Sequence, residues 1–114
     1  MYTYIVGDIM ETLMIGWTTV SSEAEATQLA QALLKEKLAA CIQVSGPIRS
    51  IYSWQGKTEE AKEYRVSIKF LENKALALKS WLSKHHPYTT PQWIAVRADD
   101  TDNKYLKWAH DCCD

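Results

Sequence analysis

A long β-hairpin is predicted by residues 39–70, AACIQVSGPIRSIYSWQGKTEEAKEYRVSIKF, and the other elements are arranged around it. Two segments of its first arm, 39–45 and 48–54, are rich in apolar, aromatic and β-branched residues, as is typical of strands. The Gly-Pro pair at 46–47 predicts a bend or bulge between them. The polar segment QGKTEEAK, residues 55–62, predicts the turn that joins the two arms.

The second arm of the hairpin has a two-residue period. Its apolar positions alternate with polar ones and are Tyr64, Val66, Ile68 and Phe70. One apolar face of this kind is typical of an antiparallel strand, so residues 40–54 and 62–71 are predicted to pair. An arm of about 10–14 residues spans roughly 33–46 Å, which is long for a small sheet. A projecting apolar ribbon needs a partner, so we expect an oligomer. The alternative is a hairpin bent over its own subunit.

A strand and a helix precede the hairpin. Residues 12–20, TLMIGWTTV, are apolar, β-branched and aromatic, which predicts a buried strand. Ser22 followed by Glu25 is a capping-box pattern and indicates the start of a helix. This helix has a predicted length of about 16 residues and one apolar stripe. The stripe comprises Ala26, Leu29, Ala30, Leu33, Leu34 and Leu38.

A helix, a strand and a last helix follow the hairpin. Asn73 is predicted to cap the first of these helices. That helix ends near the histidines at 85–86, because Pro87 disfavours helical geometry at the residue before it. Residues 92–98, QWIAVRA, predict the last strand, and residues 99–103 supply capping residues for the final helix. One face of the final helix carries Leu106, Ala109 and His110.

The predicted order of elements is β-α-β-β-α-β followed by a C-terminal helix. This is an α+β chain with the ferredoxin-like arrangement and a long projecting hairpin. A length of 114 residues suits one domain, which we assign to residues 12–114. Residues 1–11 are predicted to be an N-terminal extension, and they lack the basic start and long apolar run of a secretory signal. We therefore expect a cytoplasmic protein.

Charge and motifs exclude several classes of function. The formal net charge is −1, so no global field attracts nucleic acid or an anionic membrane, and neither is expected as a partner. No phosphate-binding glycine loop, zinc-protease motif or nucleophile elbow occurs, so we expect a protein that is not an enzyme. The cysteines are three in number and two are adjacent, which is a poor disulfide framework and predicts reduced thiols at Cys41, Cys112 and Cys113. We expect Cys41 to be a small buried apolar residue and the adjacent pair to be ordinary terminal thiols.

The pair His85-His86 is the candidate metal site. Imidazole is a frequent ligand for divalent copper and zinc. Two nitrogens fall short of the four protein ligands that are usual in a structural zinc site. Further ligands must therefore come from elsewhere in the fold or from another subunit. The alternative is that both residues end the helix and hydrogen-bond to nearby carbonyl groups.

Four segments of the chain are distinctive in combination. They are LLKEKLAACIQV (33–44), SIYSWQGK (50–57), KSWLSKHHPYTTPQW (79–93) and YLKWAHD (105–111). In this order and spacing they resemble the CutA family of divalent-cation tolerance proteins, over about residues 12–111. The resemblance implies a ferredoxin-like fold and a homotrimer similar to the PII signalling proteins, with hairpins that reach neighbouring subunits. Tyr52 and Trp54 are then expected to be anchors between subunits.

The resemblance also implies a metal-binding role. Some members bind Cu(II) through two histidines, which match His85 and His86, and through a cysteine at the end of the first strand. That cysteine position falls on Thr18, and a hydroxyl is a much poorer copper ligand than a thiolate. Gln92 replaces the usual acidic residue, and Phe70 replaces a threonine. The resemblance therefore implies a trimer that binds Cu(II) or another divalent cation in metal tolerance.

Two other functions are compatible with this resemblance. The first is a PII-like signalling or scaffold module, in which a cleft between subunits binds a small ligand or a protein. Basic side chains such as Arg65, Lys69 and Arg97 would then line the cleft. The second is a purely structural trimer whose loss changes ion sensitivity indirectly.

Overall fold

A computed structural model describes residues 12–114 as one antiparallel sheet of four strands with three α-helices. The strands are β1 (Leu13–Val20), β2 (Cys41–Trp54), β3 (Lys57–Leu71) and β4 (Ile94–Arg97). The helices are α1 (Glu23–Lys35), α2 (Ala75–His85) and α3 (Asn103–Cys112). The α+β class and the order of elements agree with the prediction. The N-terminal extension predicted for residues 1–11 lies outside the described residues.

The strands lie in the order β2-β3-β1-β4, so β3 and β1 are central and the other two form the edges. Because successive side chains of a strand point to opposite faces, β3 contributes to two separate clusters. The main core lies between α1, α2 and one face of the sheet. It consists of Val20, Ala26, Leu29, Leu33, Ala39, Val66, Ile68, Phe70, Leu78 and Leu82. The second cluster, on α3 and the strand residues it packs against, consists of Leu13, Ala40, Leu71, Ala109 and Cys113.

The hairpin of β2 and β3 is longer than predicted. Its turn is confined to Gln55 and Gly56, whose φ angles are 52° and 79°. Positive φ at both central residues is what a two-residue hairpin turn of type I′ requires, and glycine adopts it without strain. The prediction that the polar segment 58–62 forms part of the turn is wrong. These residues extend β3 and pair with β2, as Glu59 does with Tyr52. On an exposed hairpin a residue can pair through its backbone while its side chain is solvated. Polar side chains in 58–62 therefore do not by themselves indicate a turn.

A bulge interrupts the hairpin at the predicted place. The register shifts between Ser45 and Ile48, across the Gly-Pro pair. Beyond the bulge nearly all side chains are exposed or half-buried, and Ile51 and Trp54 keep 60% and 51% of their surface accessible. The described chain measures 52 × 26 × 23 Å. The hairpin therefore projects, and it does not fold back over its own subunit.

The ends of α1 explain its length. Ser22 caps it by accepting a hydrogen bond from the Glu25 backbone N–H at 3.1 Å, as predicted. Glu25 reaches back to accept one from the Ser21 hydroxyl at 2.6 Å. The helix has 13 residues, fewer than predicted. Lys37 has a φ of 57°, in the left-handed region that ends helices.

Two other boundaries differ from the prediction. Asn73 does not cap α2, because it lies inside a 3-10 turn, Glu72–Lys74, which runs directly into the helix. The Ala75 backbone N–H donates a hydrogen bond to the Glu72 carbonyl oxygen. The 3-10 turn thus provides the acceptor that a capping side chain would otherwise supply at the start of the helix. Strand β4 has four residues, fewer than the seven of the predicted segment 92–98.

The thiols also lie in different surroundings from those predicted. Cys41 is half-buried, not buried, because it begins the edge strand β2. Cys112 is exposed, whereas Cys113 is buried in the second cluster, so the terminal pair is not uniformly solvated. Burial raises the pKa of the Cys113 thiol. Leu106 packs against the same cluster, but His110 remains half-exposed outside it.

No helix in the range 12–114 is long and apolar enough to cross a membrane.

Candidate functional site

His85 is the last residue of α2 and its imidazole is exposed. Its Nδ1 lies 2.9 Å from the carbonyl oxygen of Trp81, one helical turn earlier. The ring also stacks on the Trp81 indole, with centroids 4.3 Å apart and an angle of 20° between the planes. Nε2 has no hydrogen-bonded partner among residues 12–114. Within the described residues, one nitrogen of His85 is therefore left without a hydrogen bond.

His86 follows as the C-cap of α2 and is half-buried. Its extended backbone turns the chain away from the helix and places the ring against β1. Nε2 lies 2.9 Å from Oγ1 of Thr18, and Nδ1 accepts a hydrogen bond of 3.0 Å from the Tyr88 backbone N–H. Burial lowers the pKa of His86, and a backbone hydrogen bond with Thr19 and the nearby carboxyl groups of Glu25 and Glu63 only partly offset this effect.

Tyr88 ties the loop after α2 to the base of the hairpin. Its hydroxyl donates a 2.7 Å hydrogen bond to Oε2 of Glu63 on β3, and only 9% of Glu63 is exposed. Burial and this hydrogen bond raise the pKa of Tyr88, so the phenol stays a donor. The Tyr88 ring also lies 5.0 Å from the His86 ring. The loop that carries the histidines is therefore held from both sides.

Trp93 anchors the far end of the same loop. Its indole covers Gly16 on β1 so closely that an added Cβ would collide with the ring. The indole also lies 5.9 Å from the Phe70 ring, which is fully buried. Phe70 thus contributes an aromatic contact to the core. Gln92, before Trp93, is exposed.

The two candidate ligands are adjacent in sequence but attached to different elements. His85 is held by its own helix, whereas His86 is held by β1 and by the loop. Thr18, which the resemblance aligned with a metal ligand, does contact His86. Within residues 12–114 no group of three or more His, Cys, Asp and Glu side chains could hold a metal ion. A complete set of metal ligands is thus not formed by the described part of one subunit.

The three basic residues of the cleft hypothesis have different surroundings. Lys69 donates a 3.3 Å hydrogen bond to the Tyr105 hydroxyl and lies over the same ring. Arg97 forms an ion pair with Glu72, with Nε 2.8 Å from Oε2. Arg65 is exposed on β3 and has no ion-pair partner in the described part of the chain. Within residues 12–114, Lys69 and Arg97 are thus engaged by other side chains, whereas Arg65 is not.

An apolar strip lies on the sheet face opposite the main core. Ile15 and Trp17 of β1 are directly opposite Val96 and Ile94 of β4. Ile94 is 58% exposed and Val96 is 47% exposed. Patterns along the sequence carry no signal for this strip, because the strand order brings these residues together.

Patterns along the sequence also did not predict two side-chain contacts, Thr18–His86 and Tyr88–Glu63. Each joins residues far apart in the chain, at separations of 68 and 25 residues. A pattern read along the chain carries no signal for such pairs. The resemblance alone placed Thr18 near the histidines.

Known proteins share this sequence and this fold. The sequence profile described as "CutA1 divalent ion tolerance protein" matches residues 14–112. The divalent-cation tolerance protein CutA of Yersinia pestis is 38% identical over 90 residues, covering 79% of this chain and 76% of that protein. CutA from Synechococcus elongatus superimposes with a TM-score of 0.87 at 36% identity, covering 93% of this chain and 95% of that one. A protein from Archaeoglobus fulgidus named a periplasmic divalent cation tolerance protein superimposes at 0.86 and 30% identity, with coverages of 90% and 99%. On this match of profile, relatives and fold, the chain belongs to the CutA1 family of divalent ion tolerance proteins.

Proposed function

We propose that the protein is a homotrimer that binds a divalent cation, Cu(II) in particular, and acts in metal ion tolerance. The histidine pair His85-His86 is the proposed metal site. The observation that carries the proposal is the exposed His85 imidazole at the end of α2, whose Nε2 has no hydrogen-bonded partner within residues 12–114, in a chain of this family. Imidazole nitrogen is a favourable ligand for Cu(II) and for zinc.

An assembly is favoured by the exposed apolar surface of one subunit. The strip of Ile15, Trp17, Ile94 and Val96 is continuous across β1 and β4. Ile51, Tyr52 and Trp54 extend exposed apolar surface along the hairpin. Surface of this kind usually marks an interface. We propose that residues 12–114 act as one domain with the ferredoxin-like arrangement, that three copies associate through this surface, and that residues 1–11 are an extension outside the domain.

Calorimetric titration of Cu(II) into chelator-treated protein tests the metal proposal. We expect saturable binding near one ion per subunit, and loss of binding in the double variant His85→Ala/His86→Ala. His110→Ala is the matched control, because His110 is the third histidine and lies on α3, away from the loop. Unchanged affinity in the double variant would show that the histidines are not ligands. Light scattering on the same samples gives the number of chains.

A small-ligand module related to the PII proteins is the second candidate. It is favoured by Arg65, an exposed guanidinium without an ion pair in the range 12–114. A thermal-shift panel of nucleotides and small anions tests it, because a ligand that binds only the native state raises the melting temperature. Stabilisation by an anion that is lost in Arg65→Gln would favour this function over metal binding.

We further propose that the protein binds and does not catalyse a reaction, and that it resides in the cytoplasm. Three unpaired thiols are typical of a reducing compartment. The relative from Archaeoglobus fulgidus is nevertheless named periplasmic. Fractionation of cells that express the full chain decides between the two compartments.

A further inference from the structure

We infer that the histidine pair presents a single nitrogen to a metal ion, Nε2 of His85, and that His86 is a positioning residue whose two ring nitrogens are both engaged within the subunit. This inference rests on the proposed cation binding and specifies which atom of that site would carry it.

The hydrogen bonds of His86 define its tautomer. A neutral imidazole has one N–H and one lone pair in the ring plane. The Tyr88 backbone N–H can only donate, so Nδ1 of His86 must supply the lone pair. The proton is therefore on Nε2, and it is donated to Oγ1 of Thr18 at 2.9 Å. A nitrogen that carries a proton cannot ligate a metal, and the only lone pair is already used.

The groups that hold His86 are themselves fixed. Thr18 is fully buried in the central strand β1. Tyr88 is held by its hydrogen bond to Glu63. Pro87, between His86 and Tyr88, restricts the backbone at that point. Metal binding by His86 would require the ring to lose at least one of these hydrogen bonds in a half-buried site.

His85 has the opposite arrangement. The Trp81 carbonyl can only accept, so Nδ1 of His85 carries the proton and donates to it at 2.9 Å. The lone pair of the neutral ring is then on Nε2, which is exposed. Histidines that bind metals almost always donate their other ring N–H to a carbonyl or carboxylate, which fixes the tautomer and orients the ring. His85 satisfies this requirement, and stacking on Trp81 holds its ring further.

Single variants separate the two roles. We expect His85→Ala to lower Cu(II) affinity by at least about tenfold, since changes one shell away from a metal already cost about 10–100-fold. We expect His86→Gln to lower it by less than about threefold, because the amide can still donate to Thr18 and the His85 nitrogen is untouched. His110→Gln is the control for a general histidine effect. Equal loss in His85→Ala and His86→Gln would overturn the inference.

A second measurement does not depend on metal affinity. Long-range ¹H–¹⁵N correlation spectra of the metal-free protein at pH 8 report which imidazole nitrogen carries the proton. We expect the Nε2–H form for His86 and the Nδ1–H form for His85. A proton on Nδ1 of His86 would overturn the inference even if the calorimetry agreed. If the wild type binds no Cu(II), the proposed function fails, while the two tautomers still decide whether only His85 offers a free nitrogen.

Discussion

Nε2 of His86 lies 2.9 Å from Oγ1 of Thr18, although 68 residues separate them in the sequence. This contact joins the loop after α2 to the central strand β1. It gives the half-buried His86 ring a hydroxyl partner on a fully buried residue of the sheet. His85, the last residue of α2, remains exposed and is not involved in this contact.

Stability is expected to fall on acidification because of His86. Its pKa in the folded protein is lowered from the ordinary 6.5, chiefly by burial. The unfolded chain therefore takes up a proton more readily between the lowered folded value and 6.5. This contribution to stability is present above pH 6.5 and is lost as the pH falls toward the pKa of the folded state. In that range unfolding takes up as much as one proton per chain.

Urea unfolding between pH 8 and pH 5 measures this effect. The acid loss should be smaller in His86→Gln and unchanged in His110→Gln. An equal pH dependence in the wild type and in His86→Gln would contradict the assignment.

Tyr88→Phe is expected to destabilise the protein by about 1–3 kcal/mol, because it leaves the nearly buried Glu63 carboxyl without the phenol donor. Urea unfolding gives the free energy of unfolding directly. Tyr64→Phe is the control, since the Tyr64 hydroxyl has no hydrogen-bond partner within residues 12–114 and its removal should cost less than about 0.5 kcal/mol. Equal effects of the two changes would argue against the hydrogen bond.

Gly16→Ala is expected to destabilise the protein by about 1–3 kcal/mol, because the new Cβ would collide with the Trp93 indole. A double-mutant cycle tests this, with the loss of stability measured by thermal unfolding for Gly16→Ala, Trp93→Leu and the double variant. The smaller leucine leaves room for the methyl group, so the double variant should lose less than the sum of the single losses. Strict additivity would mean that the indole does not restrict this position.

Ile94→Asp is expected to convert the proposed trimer into single chains, because it places a carboxylate in the apolar strip of β1 and β4. Light scattering gives the mass, and circular dichroism shows whether the subunit stays folded. Leu76→Asp is the matched control, since Leu76 is 84% exposed on α2 and lies outside the strip. Trimers that persist in Ile94→Asp would place the interface elsewhere.

Much of the fold could be predicted from local pattern. The two-residue period of Val66, Ile68 and Phe70 indicated a strand, and Ser22 with Glu25 indicated the start of α1. Both signals depend on neighbours within a few positions, where the backbone geometry is regular. The bulge at the Gly-Pro pair was predicted for the same reason.

Boundaries were less predictable. Asn73 has the side chain of a cap, but the chain forms a 3-10 turn there and satisfies the helix start with its own backbone. The polar segment 58–62 has the composition of a turn, yet backbone pairing with β2 extends it as a strand. In each case hydrogen bonding to the backbone outweighed the local preference of the side chains.

The sequence by itself determined the α+β class, the order of elements, the hairpin and the histidine pair at the end of α2. Only the tertiary structure showed that His85 and His86 differ, one with an exposed nitrogen and the other bonded to Thr18 and Tyr88. The reason is physical: helix and strand periods are set by adjacent residues, whereas the availability of a ring nitrogen depends on which distant groups the fold brings within about 3 Å of it.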